Sequence, residues 1–299
     1  MDRREFLKTS LSGAVMAGAL GFARRAEAQE AAPAQPGVLR LCSQEGRIPG
    51  NNLREKVIKL ESWGAVGIEF GGAPGNRMAE IREALKGTAV KVSALCWGSR
   101  NGDLVSTDQA KRRDGIAAMK AALDVAGELE STGVIFVPCF HKQSELTPAQ
   151  LDPIMLEILP ELGEHAKARG TRVLIEPLNQ GETFYINRLD QALAFCTRLN
   201  HPGVCMMGDF YHMGKEESDD RAAFVQAGAW LHHVHLASRT RVLPGQDERS
   251  FVEGFKGLQQ IGYRDFCSLE CGVKKDTDPE IEIPKAFRFL EEQWRLAAL

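Results

Sequence analysis

The chain has 299 residues, with 37 Lys plus Arg against 40 Asp plus Glu, 43% hydrophobic and 26% charged residues. A net charge of −3 leaves no basic excess to track a nucleic-acid backbone, and the composition is that of a soluble globular protein rather than an integral membrane one. Seven cysteines, odd in number and scattered from Cys42 to Cys271, make no disulfide scaffold, and the length suits one large barrel or two mid-sized domains. A soluble enzyme is the default expectation.

The first residues read as an address. Arg3 and Arg4 precede Phe6-Leu7-Lys8, a weakly apolar stretch runs from Leu11 to Phe22, and Ala26-Glu27-Ala28 offers a small-x-small cleavage pattern. Paired arginines before such a run resemble a twin-arginine export signal, and the run is too short for a comfortable membrane span. The expectation is a signal peptide at 1–28, the twin-arginine export machinery as a partner, and a mature periplasmic chain without membrane insertion after cleavage. Removing residues 1–28 takes the net charge from −3 to −5, because five basic and three acidic residues leave. The Ala/Pro/Gln/Glu stretch at 29–37 reads as a flexible linker.

From residue 38 onward, short β-branched runs alternate with longer segments of helical spacing. Strands are expected at 38–42, 66–70, 90–97, 133–139, 172–178, 204–209, 232–237 and 266–270. Between the third and fourth, Thr107 opens a helix carrying Ile116, Met119, Leu123 and Ala126 that closes near Gly133. Thr147-Pro148 opens another, which runs to Gly170. Eight strand–helix units over 38–299 predict an α/β fold of the (β/α)8 TIM-barrel type. An open doubly wound sheet is the competitor, but no G-x-G-x-x-G follows the first strand.

A strand buried between helices and barrel core should be apolar along its length. Several of these end on ionisable groups instead: Glu69, Glu176, Asp209, His235 and Glu270. One such residue alone is more often a capping group than a ligand. In a barrel, however, the C-terminal strand ends share one face, so the last four meet around a point where three bare carboxylates would repel. A divalent cation removes that conflict, and three oxygens with one nitrogen suit Mn²⁺, Mg²⁺ or Co²⁺ better than structural Zn²⁺. By strand alternation one of His232 and His233 points outward, and both read as structural. Trp97, closing the third strand, is the aromatic best placed to wall a pocket, and His141 follows the fourth strand on the same face.

The ordered motifs Glu176-Pro177-Leu178-Asn179, Glu182, Asp209-Phe210-Tyr211-His212, His233-Val234-His235, Arg241 before Pro244-Gly245, and Ser268-Leu269-Glu270 are similar to those of the sugar isomerase/epimerase family. These are xylose-isomerase-like TIM barrels that include the tagatose and psicose epimerases and, more distantly, hydroxypyruvate isomerase. The resemblance implies one divalent metal, Mn²⁺ first, held by Glu176, Asp209, His235 and Glu270. It implies His212 and Arg241 on substrate oxygens, Glu182 near the reacting carbonyl, and a homodimer or homotetramer. The chemistry agrees: moving a proton beside a carbonyl requires an enediolate, a Lewis acid and a base on each face, roles open to Glu176 and Glu270. The expected substrate is an unphosphorylated ketose or keto-sugar, since sugar phosphates belong to the cytoplasm. The alternatives are a 3-keto-glycoside lyase or hydratase using the same bases, and a non-catalytic sugar-binding barrel. Ser238, Thr240 and Gln246-Asp247 depart from the family pattern in the loop bordering the substrate.

Overall fold

Eight parallel strands close on themselves in sequence order, each paired with its chain neighbours and the last with the first. They are β1 (Arg40–Gln44), β2 (Gly67–Gly71), β3 (Lys91–Gly98), β4 (Val134–Phe136), β5 (Val173–Ile175), β6 (Val204–Asp209), β7 (Leu231–Leu236) and β8 (Phe266–Leu269). This is the (β/α)8 barrel expected from the alternation of elements. The computed structural model describes residues 36–298, so the signal expected at 1–28 and nearly all of the linker lie outside the described residues. Among the described residues no helix is long and apolar enough to cross a membrane.

The helices present buried apolar stripes to the outside of the barrel. The helix Gln109–Glu128 does so with Met119, Leu123 and Ala126, and the helix Pro148–Ala168 with Leu151, Met155, Ile158, Leu159 and Leu162. Two helix limits differ from the expectation. Asp108, not Thr107, caps the former, its carboxylate accepting from the Ala110 and Lys111 amides. That helix stops at Glu128, because Glu130 turns the chain through a left-handed conformation before Gly133. The helix from Pro148 begins where expected, with Gln150 accepting from the Thr147 amide.

β4 and β5 are shorter than their apolar runs. Each run meets a proline, Pro138 or Pro177, which has no N–H to donate to the next strand. The ladder bonding ends there, with Val137 N–H on Gly98 O and Glu176 N–H on Phe136 O. The barrel floor is equally sequence-specific: a Cβ on Gly67 would lie 2.7 Å from the Phe266 ring and 2.8 Å from Cys42 Cβ, so β2 has room only for glycine one inward position below Glu69. All seven cysteines are free thiols, and all but half-buried Cys96 are fully packed.

Candidate metal centre and active site

Strand register decides which side chains meet. Asp209 pairs with His235, His235 with Ser268, and Gln44 with Glu69, so these residues share the inward face of neighbouring strands. Glu176 and Glu270 stand one residue beyond β5 and β8, at the C-terminal mouth. Glu176, Asp209 and His235 are buried, and Glu270 is nearly so.

Four of the expected site residues converge on one point. The Nδ1 of His235 lies 3.3 Å from Glu176 Oε1, 3.4 Å from Glu270 Oε2 and 3.9 Å from Asp209 Oδ2. Both His235 Nδ1 and Asp209 Oδ2 are buried without a hydrogen-bond partner. Glu176, Asp209, Glu270 and His212 also offer ligand-type atoms all within 4.8 Å of one another, which makes His212 a rival fourth donor. The hydrogen bonds separate the two imidazoles. A backbone amide can only donate, and the Asn179 amide points at His212 Nδ1 from 3.1 Å, so the His212 proton sits on Nε2, which is a donor. His235 is the reverse: its Nε2 donates to the buried Glu69 carboxylate at 3.0 Å, which frees the Nδ1 lone pair to face the three carboxylates. Donor type, convergence and orphaned atoms therefore fit a divalent cation held by Glu176, Asp209, His235 and Glu270.

The electrostatics of the metal-free site express the same conflict. Burial raises the Glu176 carboxyl, and burial together with the Glu270 charge lifts Asp209 well above the usual carboxylate range. Burial disfavours a charged His235, yet the Glu69 and Glu270 carboxylates outweigh it and hold its proton firmly. Glu270 itself is brought to about 2, because the charge of His235 more than offsets its burial. Without a cation, then, the cluster keeps protons where ligands should be bare.

The groups facing the site form one network. Arg241 donates to Glu182 Oε1 at 2.9 Å and to Glu270 Oε2 at 3.0 Å, and its guanidinium stacks 4.7 Å from the centre of the Tyr211 ring. Asn179 Nδ2 reaches Glu182 Oε1 at 3.1 Å and His212 Nδ1 at 2.7 Å. His212, buried on the helix Phe210–Glu216, has its basicity pushed down to about 3, first by desolvation and then by Arg241, so it is neutral. Arg241 has φ +58°, a left-handed backbone that a long side chain rarely adopts. Its loop is braced: Arg241 N–H bonds Ser238 O, and Arg241 O accepts from Gly272 N–H. The residues that depart from the family pattern bond one another here, Asp247 accepting from both the amide and the hydroxyl of Thr240.

Trp97 is not among the groups that meet. It is half-buried and packs with the outer core against Phe136, while its neighbour Cys96 faces the barrel interior. His141 is exposed and bonds Gln180 O at 2.9 Å. His232 faces outward to Asp265 as expected, whereas His233 faces inward, 2.8 Å from Glu69. Glu69, Gln44 and Asn179 belong to the network without having been assigned a role from the sequence. Of the three, Glu69 left a signal as a charge inside the buried run Gly67-Ile68-Glu69-Phe70, and Asn179 closed the Glu176-Pro177-Leu178-Asn179 motif.

The comparisons with known proteins agree with this architecture. The sequence family described as xylose isomerase-like TIM barrel matches residues 57–293, and the chain belongs to it. Among curated relatives, the chain is 28% identical over 240 residues to 3-dehydro-D-guloside 4-epimerase of Escherichia coli K12, covering 76% of this chain and 90% of that one. It is 31% identical over 185 residues to ketose 3-epimerase of Arthrobacter globiformis, covering 61% and 64%. In fold it superposes on the apo crystal structure of a 3-keto-D-glucoside 4-epimerase from E. coli with a TM-score of 0.78 at 24% identity, covering 85% of this chain and all of the other. The chain is an enzyme of the isomerase/epimerase class.

Proposed function

We propose that the protein is a divalent-metal-dependent epimerase or isomerase that moves a proton at the carbon beside a carbonyl, on an unphosphorylated ketose or keto-sugar. The observation that carries this reading is the convergence of His235 Nδ1 and Asp209 Oδ2, both unpartnered, with the carboxylates of Glu176 and Glu270. The relatives support it. Epimerising C4 of a 3-keto sugar and C3 of a ketose both act on a carbon next to the carbonyl, so one proton abstraction serves either name.

A bound Mn²⁺, or Mg²⁺ or Co²⁺, supplies Lewis-acid polarisation of the substrate oxygens. The chain supplies the proton transfers. Glu176 follows β5, two strands before the β7 of His235, and Glu270 follows β8, the next strand after it. The two carboxylates therefore reach His235 from opposite sides, one to remove the proton and the other to return one to the opposite face. His212 Nε2–H and the Arg241 guanidinium are the donors for oxygen that gains charge as the proton leaves. Glu182, tied to Asn179 and Arg241, aims that guanidinium. We place the enzyme in the periplasm, delivered by the twin-arginine route, which Arg3 and Arg4 support.

The deciding experiment incubates Mn²⁺-loaded protein in D₂O with free ketoses and 3-keto-glucosides and follows products by NMR. Deuterium at the carbon beside the carbonyl, with an intact skeleton and lost in Glu270→Gln, is expected. Release of the aglycone would replace this reading with a lyase, and absence of exchange with metal bound would sink proton abstraction altogether. For the address, Arg3→Lys/Arg4→Lys should hold the protein in the cytoplasmic fraction.

A further inference from the structure

The carboxylate of Glu69 is fully buried on β2, directly behind His235. Its two oxygens take three donors from two other strands: Gln44 Nε2 at 2.8 Å on Oε1, His233 Nε2 at 2.8 Å on Oε2, and His235 Nε2 at 3.0 Å on Oε2. Gln44 Nε2 also reaches Glu270 Oε1 at 2.9 Å, so one amide spans the carboxylate behind the site and a carboxylate within it.

We infer that Glu69, with Gln44, is the positioning residue of the metal centre: it sets the tautomer and orientation of His235 and, through Gln44, fixes the free oxygen of Glu270. The inference rests on the metal site proposed above. An imidazole presents one lone pair to a cation only if its other nitrogen keeps the proton, and a buried carboxylate behind that nitrogen enforces this. Glu69 is such an acceptor for His235 Nε2. His233 Nε2 takes up the same Glu69 oxygen from the side, which stops the carboxylate from rotating away. On the far side, Glu270 Oε1 is held by Gln44 and Oε2 by Arg241, so its orientation is set from both ends. No glutamine can replace Glu69 without conflict. Whichever way its amide is turned, the NH₂ meets either the Gln44 amide donor or the two Nε2 atoms, which can accept it only by giving up the tautomer that Glu69 enforces.

The test titrates Mn²⁺ into metal-free wild type, Glu69→Gln and Gln44→Ala by calorimetry, with the visible spectrum of the Co²⁺-loaded proteins as a readout of ligand geometry. Wild type binding no Mn²⁺ would overturn the metal reading itself, and this inference with it. With wild type binding one equivalent, folded Glu69→Gln should bind Mn²⁺ about 10- to 100-fold more weakly and show a changed Co²⁺ spectrum. Gln44→Ala should weaken binding in the same direction by less. A merely structural Glu69 would lower the melting temperature of the metal-free protein but leave affinity and spectrum at wild type, and that result overturns the proposal. If Glu69→Gln does not fold, wild-type Mn²⁺ affinity in Gln44→Ala, whose half-buried side chain ends β1, does the same.

Discussion

The barrel interior has two unlike halves. From β3 to β6 the inward positions below the mouth are Ala94, Ile135, Leu174, Cys205 and Met207, a separate apolar cluster at the barrel axis, and only the strand ends above it, Glu176 and Asp209, are charged. From β7 through β8 and β1 to β2 the inward positions are His233, His235, Ser268, Cys42, Gln44 and Glu69, a polar column under the mouth. Both halves are equally dry, so the difference is one of physical role. The apolar half adds stability through packing. The polar half contains groups that are costly to bury and persist only because they satisfy one another or wait for a cation. Function is written where burial is least favourable.

This contrast predicts opposite responses to mutation. The largest effect belongs to the polar half: Glu270→Gln should lower the rate of proton exchange by about 10²- to 10⁴-fold, measured as deuterium incorporation, while the protein still folds. In the apolar half, Leu174→Ala should lose roughly 2–5 kcal/mol of stability in a denaturant melt, with Mn²⁺ affinity unchanged in the folded protein. Affinity that falls with stability there would erase the division between the halves.

The cluster at the mouth, where Glu176 and Asp209 join the polar half, should also respond to pH. Metal-free, His235 and Asp209 have proton affinities well above their ordinary ranges and Glu176 is shifted the same way, so a metal must displace protons that the cluster favours keeping. Affinity should therefore rise as pH rises, by about tenfold per unit for each proton released, and calorimetry in buffers of different ionisation enthalpy counts those protons. Binding that is indifferent to pH would show that the cluster is already bare. The smallest effect is expected at Ser268, whose buried hydroxyl has no partner: Ser268→Ala should change stability by under about 1 kcal/mol in the same melts.

Much of this was legible in the chain itself. A carboxylate at the end of a run such as Val173-Leu174-Ile175 contradicts burial, and four such contradictions on successive strands mark a common face. That argument names Glu176, Asp209, His235 and Glu270 without a structure, and the structure places all four within reach of one point. Glu69 carried the same contradiction, but its partners His233 and His235 lie 164 and 166 residues away, and only strand register joins them. Gln44 is a neutral amide with nothing in its local sequence to set it apart, and Asn179 stood in the Glu176-Pro177-Leu178-Asn179 motif without a role of its own. Trp97, read from the sequence as a pocket wall, packs its ring 6.3 Å from Phe136. Strand limits failed at Pro138 and Pro177 because hydrophobicity continues past the point where the backbone loses a donor.

The amide of Gln44, which also holds Glu69, reaches Glu270 across 226 residues of chain, and β1 pairs with β8 only when the barrel is whole. Contacts of such sequence separation form late, after the entropy of closing the long loop has been overcome. The constellation proposed to hold a cation is therefore complete only once the ring has closed. A chain interrupted between β7 and β8 would hold three of the four candidate ligands and still have no centre to fill.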